Sequence, residues 1–282
     1  MLVAALLLQA SVAAPAFAPP LDAPLRIVSE RTESAQGERQ YRLERLVRFS
    51  REGAGFRAEA VLVRQSSAAP EALGSLVERG LAALAGRIVV LHLDASGTVV
   101  SVDDMTALWD QLCQGIAAAA ASRSPLAPGE ADGLAARLVG PLRALPAERQ
   151  RALLATLVTA AIMTDAWDPA GAAAPVRLPG VSPFGTPVTL AGTRSTEAAA
   201  AGLLRVRTRA SAEVALPAQG AAPARSGTVA LDRHRVFDPR TGMLADAIDT
   251  VRNTSGAGAA ARETVIVTHV RIEPGDVAAW PR

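Results

Sequence analysis

Lysine is absent from this chain of 282 residues, cysteine occurs once, and aromatic residues make up only 3% of it. Each scarcity removes a class of chemistry. Without lysine there can be no lysine-bearing phosphate loop and no Schiff-base nucleophile. A single cysteine, Cys113, rules out an intramolecular disulfide and any zinc site built from several thiolates. With so few aromatics there is little for bases to stack on. The formal charge of +2, from 29 basic against 27 acidic side chains, exerts almost no pull on a polyanion, even though the pI is 9.4. No nucleic-acid partner is expected. Beyond the amino terminus the longest apolar run is Leu153–Met163, short of the roughly 20 residues that a spanning helix requires, so the mature chain is expected not to cross a membrane.

Half of the residues are hydrophobic and mean hydropathy is +0.22. Alanine supplies much of that fraction, so large side chains are fewer than the figure implies. A chain of this length still buries roughly three quarters of its unfolded surface, enough to fold without a metal or cofactor, and neither is expected.

Residues 1–18 join an apolar stretch, Leu2–Leu8, to a run of small residues ending Ala16-Phe17-Ala18. This pattern predicts a secretory signal peptide, with cleavage after Ala13, Ala16 or Ala18 and a periplasmic or secreted product.

The remainder, 19–282, reads as a single α+β domain. Over 25–102 alternation predicts antiparallel strands: Tyr41, Leu43, Val47 and Phe49 on one side of a hairpin around Gly53, and Phe56, Ala58, Ala60 and Leu62 on the other. A helix opens at Pro70 and stops at Gly86, and Asp94–Gly97 turns a second hairpin. Residues 103–163 are helical. Asp103 stands at a capping position, and Met105, Leu108, Trp109, Leu112 and Ile116 follow at helical spacing. Cys113 lies beside that stripe and reads as a small buried hydrophobe. Two further helices are expected over Glu130–Val139 and Ala147–Met163. A Pro- and Gly-rich connection over 168–187 leads to strands over 188–273, the clearest being Leu204–Val214, with a turn at Asp238–Gly242. The fold expected is a curved, mostly antiparallel sheet packed against a central helical segment. The turns at Asp94 and Asp238 leave open two similar strand-rich halves.

No catalytic residue and no metal ligand is assigned. Gly180-Val181-Ser182-Pro183-Phe184-Gly185 lacks the spacing of a serine-hydrolase elbow, and Pro183 removes a needed N–H. His92, His234 and His269 fall in strands. Asp232 shares a strand face with His234, as Glu273 does with His269, which leaves a cross-strand acid/base site as a third function class. Arg205, Arg207 and Arg209 project from one strand face about 7 Å apart, able to hold anionic head groups or to pair with acids such as Glu197 or Asp249.

The leader, the long strands Phe56–Leu62 and Leu204–Val214, and the amphipathic stretch Met105–Ile116 together resemble the half-barrel carriers of bacterial envelopes, the LolA and LppX class of lipid or lipoprotein binders. The resemblance is one of pattern and carries over no binding residue. It implies a soluble carrier, because no cysteine follows the leader to bear a lipid. The ligand would be an apolar small molecule or lipid held between sheet and helices. Met105, Leu108, Trp109, Leu112 and Ile116 would contact it, with Arg205, Arg207 and Arg209 for a head group, and room left by Ala58, Ala60, Ala210 and Ala212. The alternative is an envelope interaction module that binds another protein through a sheet edge or the 168–187 connection.

Overall fold

The computed structural model describes residues 17–35, 38–67, 80–121, 128–165, 167, 168, 171–216, 218, 224–256 and 261–280. Eleven strands form one antiparallel sheet. They are β1 (Pro24–Ser34), β2 (Glu38–Glu52), β3 (Gly55–Ser67), β4 (Ile88–Leu93), β5 (Val99–Val102), β6 (Ala174–Val181), β7 (Pro187–Ala198), β8 (Leu204–Leu216), β9 (Arg225–Asp238), β10 (Met243–Ser255) and β11 (Arg262–Pro274). Three α-helices lie between β5 and β6 among the described residues: α1 (Met105–Ala121), α2 (Pro128–Arg143) and α3 (Ala147–Thr159).

The strand order is β5-β4-β3-β2-β1-β11-β10-β9-β8-β7-β6. Two meanders therefore meet where the first strand pairs with the last, Ile27 opposite Ile272. β5 and β6 lie at opposite edges of the sheet, ten strand spacings apart, roughly 48 Å along a flat sheet. The helical segment that joins them has to cross one face of the sheet, and this crossing makes a second layer. Gly53 and Gly242, both at positive φ, supply the left-handed residue that their hairpin turns need. Asp94 and Asp238 each accept backbone N–H groups two residues on, from Ser96 and Arg240, so the two turns share one chemistry.

Period-two alternation decides which face the helices cover. Ile27, Val47, Phe49, Ala58, Ala60, Val89 and Leu91 share the helix-bearing face and are fully buried, with Leu108, Leu112, Cys113 and Ile116 of α1 and Leu154, Leu157 and Val158 of α3 in the same core. Trp109 Nε1 donates to the Leu142 carbonyl at 3.2 Å and ties α1 to α2. At the far end the β6–β7 hairpin bends over this face. The Arg225 guanidinium lies 4.5 Å from the Phe184 ring centroid, and a methyl on Gly227 would stand 3.3 Å from Phe184 Cζ. The helix-bearing face is the concave one.

Several local expectations change. Helix α1 starts at Met105 and the Asp103 carboxylate turns to His92 Nε2 at 2.9 Å. The connection expected over 168–187 contains β6, an edge strand paired with β7. Most of the helix expected from Pro70 lies outside the described residues; its end, 80–82, is helical and Gly86 has φ +74°. Residues 1–16 of the expected leader also lie outside them. Phe17, however, is 5% exposed inside the core, and Ala18 N donates to the Thr241 carbonyl at 2.9 Å.

Candidate ligand cleft on the concave face

After α3 the chain settles onto the sheet through three backbone contacts. Ile162 bridges Met243, Met163 N donates to the Gly242 carbonyl, and Leu244 N donates to the Ala161 carbonyl. This seats Asp165 above the middle of the concave face, its side chain 10% exposed. Arg194, Arg233 and Arg235 reach it from β7 and β9 at 3.5, 3.3 and 3.1 Å. Asp249 on β10 takes Arg233 at 3.1 Å and Arg235 at 3.4 Å. The register explains the convergence, because Asp249, Arg233, Thr208 and Arg194 are successive partners across β10, β9, β8 and β7. Three guanidinium groups and two carboxylates pin the crossover segment to the sheet.

Beside this network a cleft of about 320 Å³ opens between the carboxyl end of α3 and the sheet. Thr156, Thr159 and Thr164 form its helix side, Arg235 and Asp249 its charged wall, and Ala247 and Val270 its floor. The volume lies at the lower end of ligand pockets. Past the charged network, away from the helices, the concave face is apolar again. Leu190, Ala210, Val229 and Leu231 form a separate buried cluster, with Val188, Ala212 and Val251 half-buried around it.

The residues singled out from sequence divide between the two layers. Leu108, Trp109, Leu112 and Ile116 are buried in the main core, and Met105 is packed half-buried against it. Ala58 and Ala60 are fully buried in that core, whereas Ala210 belongs to the second apolar cluster and Ala212 packs against it. Arg205, Arg207 and Arg209 stand on the outer face, Arg205 paired with Glu197 at 3.0 Å and the other two with Asp232. Asp249, named as an alternative partner for them, points to the opposite face.

The histidines also lie on the outer face. His234 pairs with Asp232 at 3.0 Å as expected, but His269 turns to Asp246 at 2.6 Å, and Glu273 meets Arg26 instead. Ile248 separates His234 from His269 in the register, and no metal-holding cluster occurs among the described residues. Two outer-face grooves, of about 480 and 560 Å³, run across the strands between ion-paired side chains such as Arg209–Asp232 and Arg42–Glu30. Ser182 is 4% exposed and accepts from Phe184 N and Thr186 N, so it closes the β6–β7 turn. Burial pushes the Cys113 thiol up, away from reactivity.

Sequence reasoning missed Asp165, Arg194, Arg233 and Arg235, and it assigned Asp249 to the arginines of the other face. One signal was available: Arg233 and Arg235 interrupt the apolar phase of β9, where Leu231 and Phe237 hold the same face.

No protein-family model and no curated protein matches the chain. Among solved structures it is similar to a chain of lipovitellin, in a structure described as lipid–protein interactions in lipovitellin, with a TM-score of 0.40 and 6% identity over 92% of this chain. That match covers 25% of the lipovitellin chain, so the present chain spans about a quarter of its length.

Proposed function

We propose that the protein is an exported, non-enzymatic carrier that holds an apolar ligand, such as a lipid or a lipoprotein acyl chain, between its sheet and its helices. The observation that carries this reading is the cleft beneath the end of α3, where apolar Leu244, Ala247 and Val270 of the sheet are set among threonine side chains and the Arg235–Asp249 pair. A few placed polar groups over an apolar floor are what a binding site for a largely apolar molecule needs. The leader-like amino terminus and the pattern shared with half-barrel envelope carriers point to the periplasm.

The edges of the sheet weigh against the interaction-module alternative. Pro175 and Pro179 occupy alternate positions of β6 and remove N–H donors that an added strand would use, and β5 is only four residues long.

Native mass spectrometry of the mature protein from its own periplasm, followed by solvent extraction, tests the proposal. A stoichiometric apolar adduct is expected. A bare mass, with no uptake of added hexadecanoate or hexadecan-1-ol, would overturn it.

A further inference from the structure

Arg45 is the one charged residue in the buried set among the described residues, 3% exposed. It rises from the concave face of β2, opposite Ile27 on β1 and Leu62 on β3, at the bulge that follows Glu44. Alternation along β2 leaves Glu44 on the outer face with Arg26, so the adjacent carboxylate gives Arg45 nothing. Arg45 Nη1 donates to Ser29 Oγ at 3.2 Å, and its Nε has no partner among the described residues. Burial pushes the guanidinium down to about 10, which still leaves it charged at neutral pH. A full positive charge therefore sits out of water with, among the described residues, one neutral hydroxyl as its hydrogen-bond partner and the Tyr41 side chain near enough to act on its charge.

A buried charge needs a counter-charge. Its surroundings show where one could come from. Ser29 is the register partner of Val270, and Val270 of Ala247. Those two residues are the floor of the cleft beneath α3, so Ser29, which like Arg45 lies outside the lining, stands one strand spacing, about 4.8 Å between backbones, beyond that floor. Leu43, on the same row of β2, is buried and apolar.

We propose that Arg45 is the anchor for an anionic head group, a carboxylate or a phosphate ester, on an amphiphile whose apolar part lies over Val270 and Ala247. This rests on the carrier reading and narrows it to acidic lipids. The planar guanidinium can meet either oxyanion with two parallel hydrogen bonds. It also explains a charge placed where an apolar residue would pack.

The test uses delipidated full mature protein and two probes of equal chain length, hexadecanoate and hexadecan-1-ol, in displacement titrations against a fluorescent amphiphile. The wild type is expected to prefer hexadecanoate by about ten- to a hundred-fold. Arg45→Met should abolish that preference, keep binding of the alcohol, and leave the melting temperature of the ligand-free protein unchanged or raised. Arg45→Lys, which keeps the charge but not the fork, should retain a reduced preference and serves if the Met variant does not fold. Equal binding of both probes by the wild type would overturn the anchor and leave the carrier reading standing. Binding of neither would overturn both. A preference retained in Arg45→Met, with a fall of several degrees in the ligand-free melting temperature, would show a counter-charge within the chain and overturn the proposal. Displacement of hexadecanoate by millimolar inorganic phosphate would make a free anion the occupant and overturn the lipid head group.

Discussion

The ring of Phe17 meets Phe56 edge-on, with centroids 5.0 Å apart at 79°, and meets Phe49 in the same way at 5.7 Å. Gly97 lies against the other side, where a methyl would stand 2.8 Å from Phe17 Cγ. Phe17 thus fills an aromatic slot between β2, β3 and the β4–β5 turn. Asp22 N adds a hydrogen bond to the Phe49 carbonyl at 2.8 Å.

A mature chain that keeps Phe17 is therefore expected to be more stable than one that begins at Pro19. Loss of a buried phenylalanine costs about 3–5 kcal/mol. In a domain of this size that lowers the melting temperature by about 6–20 °C. Calorimetry of proteins that begin at Phe17 and at Pro19 checks this, with Phe17→Ala as the matched control. Among the three cleavage positions read from the sequence, those after Ala13 and Ala16 preserve the slot. If the expected leader is cleaved, amino-terminal sequencing of the protein recovered from cells should find Ala14 or Phe17 first.

His92 joins Glu52 at the β2–β3 turn to Asp103 at the end of β5, and hydrogen bonds to Glu52 first and Asp103 second raise its pKa. Below about 6.5 the imidazole is charged in folded and unfolded chains, and the ion pairs contribute in full. As pH rises through the higher folded value the ring loses its proton and the contribution disappears. The carboxylates are about half exposed, which holds the effect below about 1 kcal/mol. Urea melts of wild type and His92→Gln should differ at pH 5.5 and coincide at pH 8.5.

The sheet was largely legible before its structure because period-two alternation reports burial directly. Leu204–Val214 became part of β8 with Arg205, Arg207 and Arg209 on the face that its alternation predicts. β6 was hidden because its edge position leaves most of it exposed, and Pro175 and Pro179 read as loop. The charged network was hidden for another reason. Its members come from four separate stretches, and only strand order places Asp165 over Arg233. Arg45 fits the polar phase of no strand, and that misfit is visible in sequence as an arginine between Leu43 and Val47 on an apolar face. Arg205, Arg207 and Arg209 kept the phase that predicts exposure, and the structure gives them surface pairs.

Gly192 marks a close approach of β7 to β8 that alternation cannot show. A methyl there would stand 1.9 Å from the Arg209 carbonyl oxygen and 2.5 Å from Ala210 Cα, both backbone atoms of the neighbouring strand. Because backbone cannot step aside as a side-chain end does, Gly192→Ala is expected to cost at least the 1–3 kcal/mol usual for overpacking. Gly185→Ala, in the exposed β6–β7 turn at φ +80° with open space around it, should cost only about 1 kcal/mol from its backbone conformation. Parallel thermal melts of the two variants separate steric contact from backbone preference.

Asp165 couples the crossover segment to the cleft. Asp165→Asn leaves Arg233 and Arg235 with the Asp249 carboxylate and takes from Arg194 the carboxylate it meets at 3.5 Å, and breaking a buried pair costs about 3–5 kcal/mol. The residual exposure of these side chains, 10–20%, places the expected loss toward the lower figure. Asp249→Asn should cost less, since its side chain is 27% exposed and Asp165 still serves all three arginines. Hydrogen exchange locates the effect. The amides of Met163 and Leu244, bonded across the junction between crossover and sheet, should exchange faster in Asp165→Asn, while the β1–β2 ladder stays protected. Thr164, beside Asp165, lines the cleft. A loosened junction should therefore release bound hexadecanoate several-fold faster, and an unchanged release rate beside accelerated exchange would separate the charged network from ligand retention.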